Sequence, residues 1–407
     1  MPEFTVIATY STFLASYVVF ALGKFPGMKI DRPGMAIIGA VLMFVFGALK
    51  PADALRYVDL GTIVLLFSMM LLVAYLHTAG FFDWVTEIAV AGLKPRYLLP
   101  TVIFLSGLLS AFFVNDIICL VMVPLVLTVC RKMGLKPVPY LLAVATASNI
   151  GSVATITGNP QNMLVGSVSR IGYRDFLWHL GPVAAMGMFL AWLVLWGIYR
   201  KEGLEQAHAI VRAEMPEVNT AGLLKPGIVV ALVLAGFLAG LAPPFVAAAG
   251  AAMMLITRTR EPRLVYDEVD WGVLIFFVGL FLIVGGAENA GMAEGLLRLA
   301  RAMNLQNLGI FAVVTAALSN VVSNVPAVML LKEVVPRFGN AHAGWLMLAM
   351  ASTLAGNLTI TGSVANIIVV ERAREEAKIT FREYFRVGLP ITMLTMAFGY
   401  VWLTWVR

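Results

Sequence analysis

The stretch ASNIGSVATITGNPQN, residues 147–162, is built of hydroxyl and amide side chains with Gly and Pro among them, and it sits inside a long apolar run. A second copy, ASTLAGNLTITGSVAN at 351–366, aligns with it without gaps at an offset of 204 and shares seven of sixteen residues. Such residues hold polar solutes and ions. In Thr157–Asn162 a Gly and a Pro interrupt a helix, freeing N–H donors at the start of one half-helix and carbonyls at the end of the other. Helix N-termini hold anions, and freed carbonyls with Asn and Thr oxygens coordinate a small cation such as Na⁺.

Two further breaks supply the same chemistry: Asn115 and Asp116 in FFVNDIICL, and Ser323, Asn324 and Pro326 in LSNVVSNVPAV. The expected substrate-binding set is therefore Asn115, Asn149, Thr157, Gly158, Asn159, Asn162, Ser323, Asn324, Thr361, Gly362, Ser363 and Asn366. The expected ion-coupling set is Asp116, Asn115 and Asn357. Asp116 can cap the half-helix that starts at Ile117, and as an ionisable group at membrane depth it is also a candidate to exchange a proton.

Composition says what must position these residues. Of 407 residues 60% are apolar and 13% charged, and the mean hydropathy is +0.89, which marks a polytopic all-α membrane protein. Spans are expected at 4–23, 33–49, 59–80, 176–199, 226–241, 243–256, 271–290, 343–370 and 387–406. No Lys or Arg precedes the first apolar run, so it reads as a retained span. Cys119 and Cys130 read as small buried side chains without a disulfide or a metal role. The spans hold no His-rich or Ser/His/Asp set, and no enzyme activity, cofactor, metal site or nucleic-acid partner is expected.

Leu98–Cys130 would be about 50 Å long as one helix, more than the hydrocarbon core of about 30 Å. Broken at residues 114–116, it reads instead as a re-entrant hairpin, flanked by Lys94 and Arg96 before it and Arg131, Lys132 and Lys136 after. A second hairpin is expected over 309–331. The architecture follows as two inverted-topology repeats, each with three spans, one hairpin and two further spans, one of them broken. The first covers 1–199, a cytoplasmic linker 200–225, and the second 226–407. With the N-terminus outside, this arrangement puts 20 of the 29 Lys and Arg in cytoplasmic loops, as the positive-inside rule requires. His77 and Glu288 fall at matching ends of the third span of each half and read as locally satisfied groups.

On these residues the chain resembles the ion transporter superfamily of arsenite efflux permeases, citrate-metal symporters, NhaD-type sodium/proton antiporters and divalent-anion/sodium symporters. FVNDIICLVMVPLVL (113–127) and SNVVSNVPAVML (319–330) are similar to the two hairpins of arsenite permeases, and GNPQN and TGSVAN to the paired breaks. The resemblance implies an ion-coupled transporter of a small anion or oxyanion, in the plasma membrane of a prokaryote, with an elevator mechanism and a homodimeric scaffold in membrane lipid. In the sodium/dicarboxylate branch each tip reads Ser-Asn-Thr. Here the tips read Val114, Asn115, Asp116 and Ser323, Asn324, Val325, which leans toward the arsenite-permease side and H⁺ coupling. An arsenite-type member would also take a soluble ATPase subunit. A Na⁺-coupled dicarboxylate or sulfate symporter and a Na⁺/H⁺ antiporter are the alternatives.

Overall fold

The computed structural model describes residues 2–25, 27–90, 93–202, 220–256 and 261–406. Most of the expected linker, with Arg258, Arg260 and Arg407, lies outside the described residues. The first half contains α1 (Glu3–Leu22), α2 (Arg32–Val45), a short α3 (Ala54–Tyr57), α4 (Leu60–Thr78), α5 (Phe81–Val90), α6 (Leu98–Phe112), α7 (Asn115–Met133), α8 (Val138–Ser152), α9 (Pro160–Ser169) and α10 (Tyr173–Tyr199). The second repeats the order: α11 (Leu224–Leu238), α12 (Pro243–Leu255), α13 (Pro262–Tyr266), α14 (Trp271–Asn289), α15 (Met292–Ala302), α16 (Leu308–Val322), α17 (Asn324–Leu331), α18 (Ala341–Leu354), α19 (Val364–Ala373) and α20 (Phe381–Trp405). Each helix of the first half thus has its counterpart ten helices later.

Six described helices are long and apolar enough to cross a membrane, and four shorter apolar ones accompany them. The expected spans correspond to helices, although α10 and α20 begin three and six residues earlier than hydropathy suggested. Two helices were not expected at all. α5 and α15 are amphipathic segments between the third span and the hairpin of each half.

Both hairpins form. One small cavity is lined by Leu98–Leu105 positions at the start of α6 and by Met122, Val126 and Val129 toward the end of α7, so the two arms run back alongside each other. In the second half the Phe311 ring at the start of α16 meets Phe338, beyond the end of α17, at 4.9 Å. Polar contacts agree with the expected sidedness. His77 pairs with Glu268 and Arg131 with Glu376 at the expected cytoplasmic end. Lys332 pairs with Glu288, and His342 with Asp175, at the other. Cys119 and Cys130 are both buried free thiols.

Candidate functional site

The break after α8 is a steric consequence of its sequence. A Cβ on Gly158 would stand 2.2 Å from the Ser152 carbonyl oxygen, so only glycine lets the chain fold back over the end of α8. Pro160 then occupies the first turn of α9, where its missing N–H costs nothing, and the Asn159 side chain accepts from the Asn162 N–H at 2.8 Å. The carbonyls at the end of α8 and in the turn need partners, because bare amide groups at membrane depth cost several kcal/mol. Asn162 Nδ2 donates to the Ser152 and Thr155 carbonyls, both at 3.0 Å. Asn366 Nδ2 does the same for Gly356 and Thr359, at 2.7 and 3.0 Å.

Asn149 ties the halves together. Its Oδ1 accepts from Asn115 Nδ2 and from Ser363 Oγ, each at 3.0 Å, and its Nδ2 donates to Asn357 Oδ1 and Asn366 Oδ1, each at 2.9 Å. All four bonds an amide can make are used. Its counterpart at an offset of 204, Thr353, accepts from Asn159 and Gln161 at 3.3 and 3.1 Å. Every residue of this lattice is buried.

In front of the lattice lies a cavity of about 250 Å³. Hairpin residues Asn115 and Asp116 enter it from one side and Ser323, Asn324 and Val325 from the other, with Pro160, Gln161, Ser363 and Val364 from the two breaks. The N-termini of α7, α9, α17 and α19 therefore converge on one space. At those of α7, α17 and α19 the residue before the helix makes no side-chain cap bond. The cavity is completed by Arg32 and Pro33 from the first turn of α2 and by Asp270, Gly272, Val273, Phe276 and Phe277 from the cap and first two turns of α14.

The expected residues thus divide. Asn115, Asp116, Ser323, Asn324 and Ser363 line the cavity, while Asn149, Asn159, Asn162, Asn357 and Asn366 form the lattice behind it. Thr157 bonds to the Tyr173 hydroxyl at 3.0 Å and Gly158 packs against α8. Thr361 is exposed and faces Thr359 at 3.4 Å, and Gly362 lies against the Gly356 carbonyl. Asp116 does not cap its own helix. It faces the Ala365 N–H in the first turn of α19, with Arg32 and Asp270 as its charged neighbours.

Asn324 satisfies both ends of its amide with the nitrogen toward the Gly362 and Ser352 carbonyls, at 3.2 and 3.1 Å, and the oxygen accepting from Gln161 at 3.3 Å. The hairpin tip beside it is strained: Ser323 sits at φ +76° and ψ 161°, a region almost reserved for glycine. Arg32, Gln161, Asp270, Phe276 and Phe277 are among the lining residues that sequence reasoning missed. Gln161 was inside the quoted motif. Arg32 read only as a loop charge, although it is the first residue of α2.

Known proteins agree with this architecture. The chain is 29% identical to an uncharacterized transporter of Mycobacterium tuberculosis, over 98% of both chains. It is 29% identical to the silicon efflux transporter LSI3 of Oryza sativa subsp. japonica, over 94% of this chain and 95% of that one. The putative transporter arsB of Dictyostelium discoideum is 25% identical over 91% of this chain and 87% of its own. Among solved structures the Alcanivorax borkumensis YdaH transporter superposes with a TM-score of 0.61, covering 99% of this chain and 98% of that one; at 12% identity this speaks for the fold alone. The profile described as "Citrate transporter" matches residues 17–355, and with a match over most of its length the chain belongs to the citrate transporter family.

Proposed function

We propose that the cavity between the hairpin tips is the substrate site of an ion-coupled secondary transporter for a small anion or oxyanion. Coupling is to protons through Asp116, and movement is by an elevator displacement of α6–α10 and α16–α20 against the earlier helices of each half. The observation that carries this reading is the convergence of four helix N-termini on one cavity, three of them without a capping bond from the preceding residue. Each N-terminus presents about half a positive charge and free N–H groups, which suits oxygen-rich solutes. Citrate in the family name and silicon in the name of the LSI3 relative are cargo of that chemistry. Uncharged arsenous acid would use the Asn and Ser side chains instead.

The elevator reading draws on an asymmetry between equivalent parts. Thr155, Ile156 and Thr157 of the first break are buried, whereas Thr359 and Ile360 of the second are half-exposed and Thr361 is exposed. α16 has 15 residues, about 22 Å of helix, and its tip shares the cavity with Gly272 and Val273 in the first turn of α14, at the expected cytoplasmic end. On this reading the hairpins and broken helices stand low in the membrane, with the cavity toward the cytoplasm.

A sodium-coupled reading has an observation of its own. Asn115 Oδ1, Ser110 Oγ and Ser106 Oγ, on the tip and preceding arm of the first hairpin, are buried without hydrogen-bond partners. Oxygen atoms left bare in a buried site suit a small cation.

Uptake of citrate, arsenite and silicic acid into proteoliposomes, under an imposed pH gradient and separately under a Na⁺ gradient, tests both readings. The expected result is saturable uptake driven by the pH gradient. Flux driven by Na⁺ alone favours the second reading, and flux that never saturates overturns a closed site.

A further inference from the structure

The cavity holds three charged side chains: Arg32 from α2, Asp116 from the first hairpin and Asp270 from α14. Among the described residues no other cation lines it. Arg32 is held in place by its Nε, which donates to the Phe20 carbonyl at 2.9 Å, an acceptor in the last turn of α1. That bond uses one of five N–H donors and leaves the terminal NH₂ groups for the cavity. Asp270 has a structural task, accepting from the Val273 N–H at 3.1 Å as the cap of α14, so its charge is offset by that helix end. Asp116 lies in the first turn of α7 and faces the Ala365 N–H at the start of α19, and among the described residues no cationic side chain touches it. The remaining titratable neighbour, Cys119, lies one turn further along α7 and bonds Ser148.

We propose that Arg32 is the anion-recognition residue of the site and that Asp116 is its counter-charge in the empty cavity, so that an anionic substrate enters by taking Arg32 from Asp116. The inference rests on the reading of this cavity as the transport site and adds the group that discriminates charged from uncharged cargo. A guanidinium matches planar carboxylates and oxyanions with two parallel N–H···O bonds, which an ammonium cannot reproduce. Arg32 opens α2, at the expected cytoplasmic end, while Asp116 rides on the hairpin. The two charges thus face one cavity, without touching, from the two bodies that an elevator would move apart, and an anion that takes up the Arg32 charge also frees the hairpin from its attraction.

The test is ligand-induced thermal stabilisation of the purified full-length protein at pH 7, since a ligand of the folded state raises its apparent stability. Citrate, phosphate and arsenate serve as anionic probes, and arsenite and orthosilicic acid as uncharged ones. R32Q should weaken anion binding by about tenfold or more, the size of a lost charge-assisted bond, and leave the uncharged probes unaffected. R32K should fall between. D116N, which removes the competitor without touching the Phe20 anchor, should tighten anion binding severalfold, and this arm stands even where R32Q fails to fold. Anion binding unchanged in R32Q, or not tightened in D116N, overturns the proposal. So does a wild type that binds only uncharged probes, in which case the transport site itself stands. A wild type that binds and transports none of the probes overturns the proposal together with the reading it rests on.

Discussion

Asn162 and Asn366 do the same work 204 positions apart: each sends its side-chain amide back to two carbonyls of the break that precedes it, at matching positions in the two halves. The repeat thus carries the same brace in both halves. Asn162→Ala or Asn366→Ala orphans two carbonyls in a dry environment, each at a cost of about 1–3 kcal/mol. Both variants should show a markedly lower melting temperature in detergent, even where residual uptake survives. Wild-type melting in either would mean that water already serves those carbonyls.

Asp116→Asn keeps size and hydrogen-bonding capacity but cannot titrate. Uptake driven by a pH gradient should fall to background, while binding and substrate exchange without a gradient persist. Gradient-driven flux equal to wild type would remove Asp116 from the coupling role.

Ser323 holds a backbone conformation that L residues avoid, at a cost of about 1–3 kcal/mol. Ser323→Gly should release part of that strain and raise thermal stability, while a looser hairpin tip lowers the affinity for substrate. A variant less stable than wild type would show that the Ser323 side chain contributes more than its strain removes.

Single cysteines at Pro137 and Gly172 report sidedness. α8 and α9 cross the membrane once between them, so an impermeant thiol reagent should label the first from the cytoplasm and the second from outside. Labelling of both from one face would break the inverted repeat.

Much of this was legible in the sequence because polar residues inside an apolar run are costly and therefore conspicuous. Residues 147–162 and 351–366 announced the two breaks in that way, and Asn115 and Asn324 the hairpin tips. What escaped notice had no such contrast. α5 and α15 carry ordinary amphipathic sequence beside charged loops, and hydropathy assigns that to connection. Arg32 counted as a topology marker, because a basic residue at a helix start satisfies the positive-inside rule whether or not it faces a cavity. The division of the motif residues into lining and lattice depends on which side of a broken helix each amide turns to, and spacing alone does not carry that.

The four bonds of Asn149 also set an order of events in biogenesis. Its partners Asn357, Ser363 and Asn366 come as many as 217 positions later in the chain, and at about 5–20 residues per second they emerge roughly 10 to 40 s after it. For that interval the first half holds its central amide with only the Asn115 bond made and the other three unmade. The nascent protein passes through a stage in which a polar groove awaits its other wall, and an insertase or chaperone that shields such grooves would act on it then.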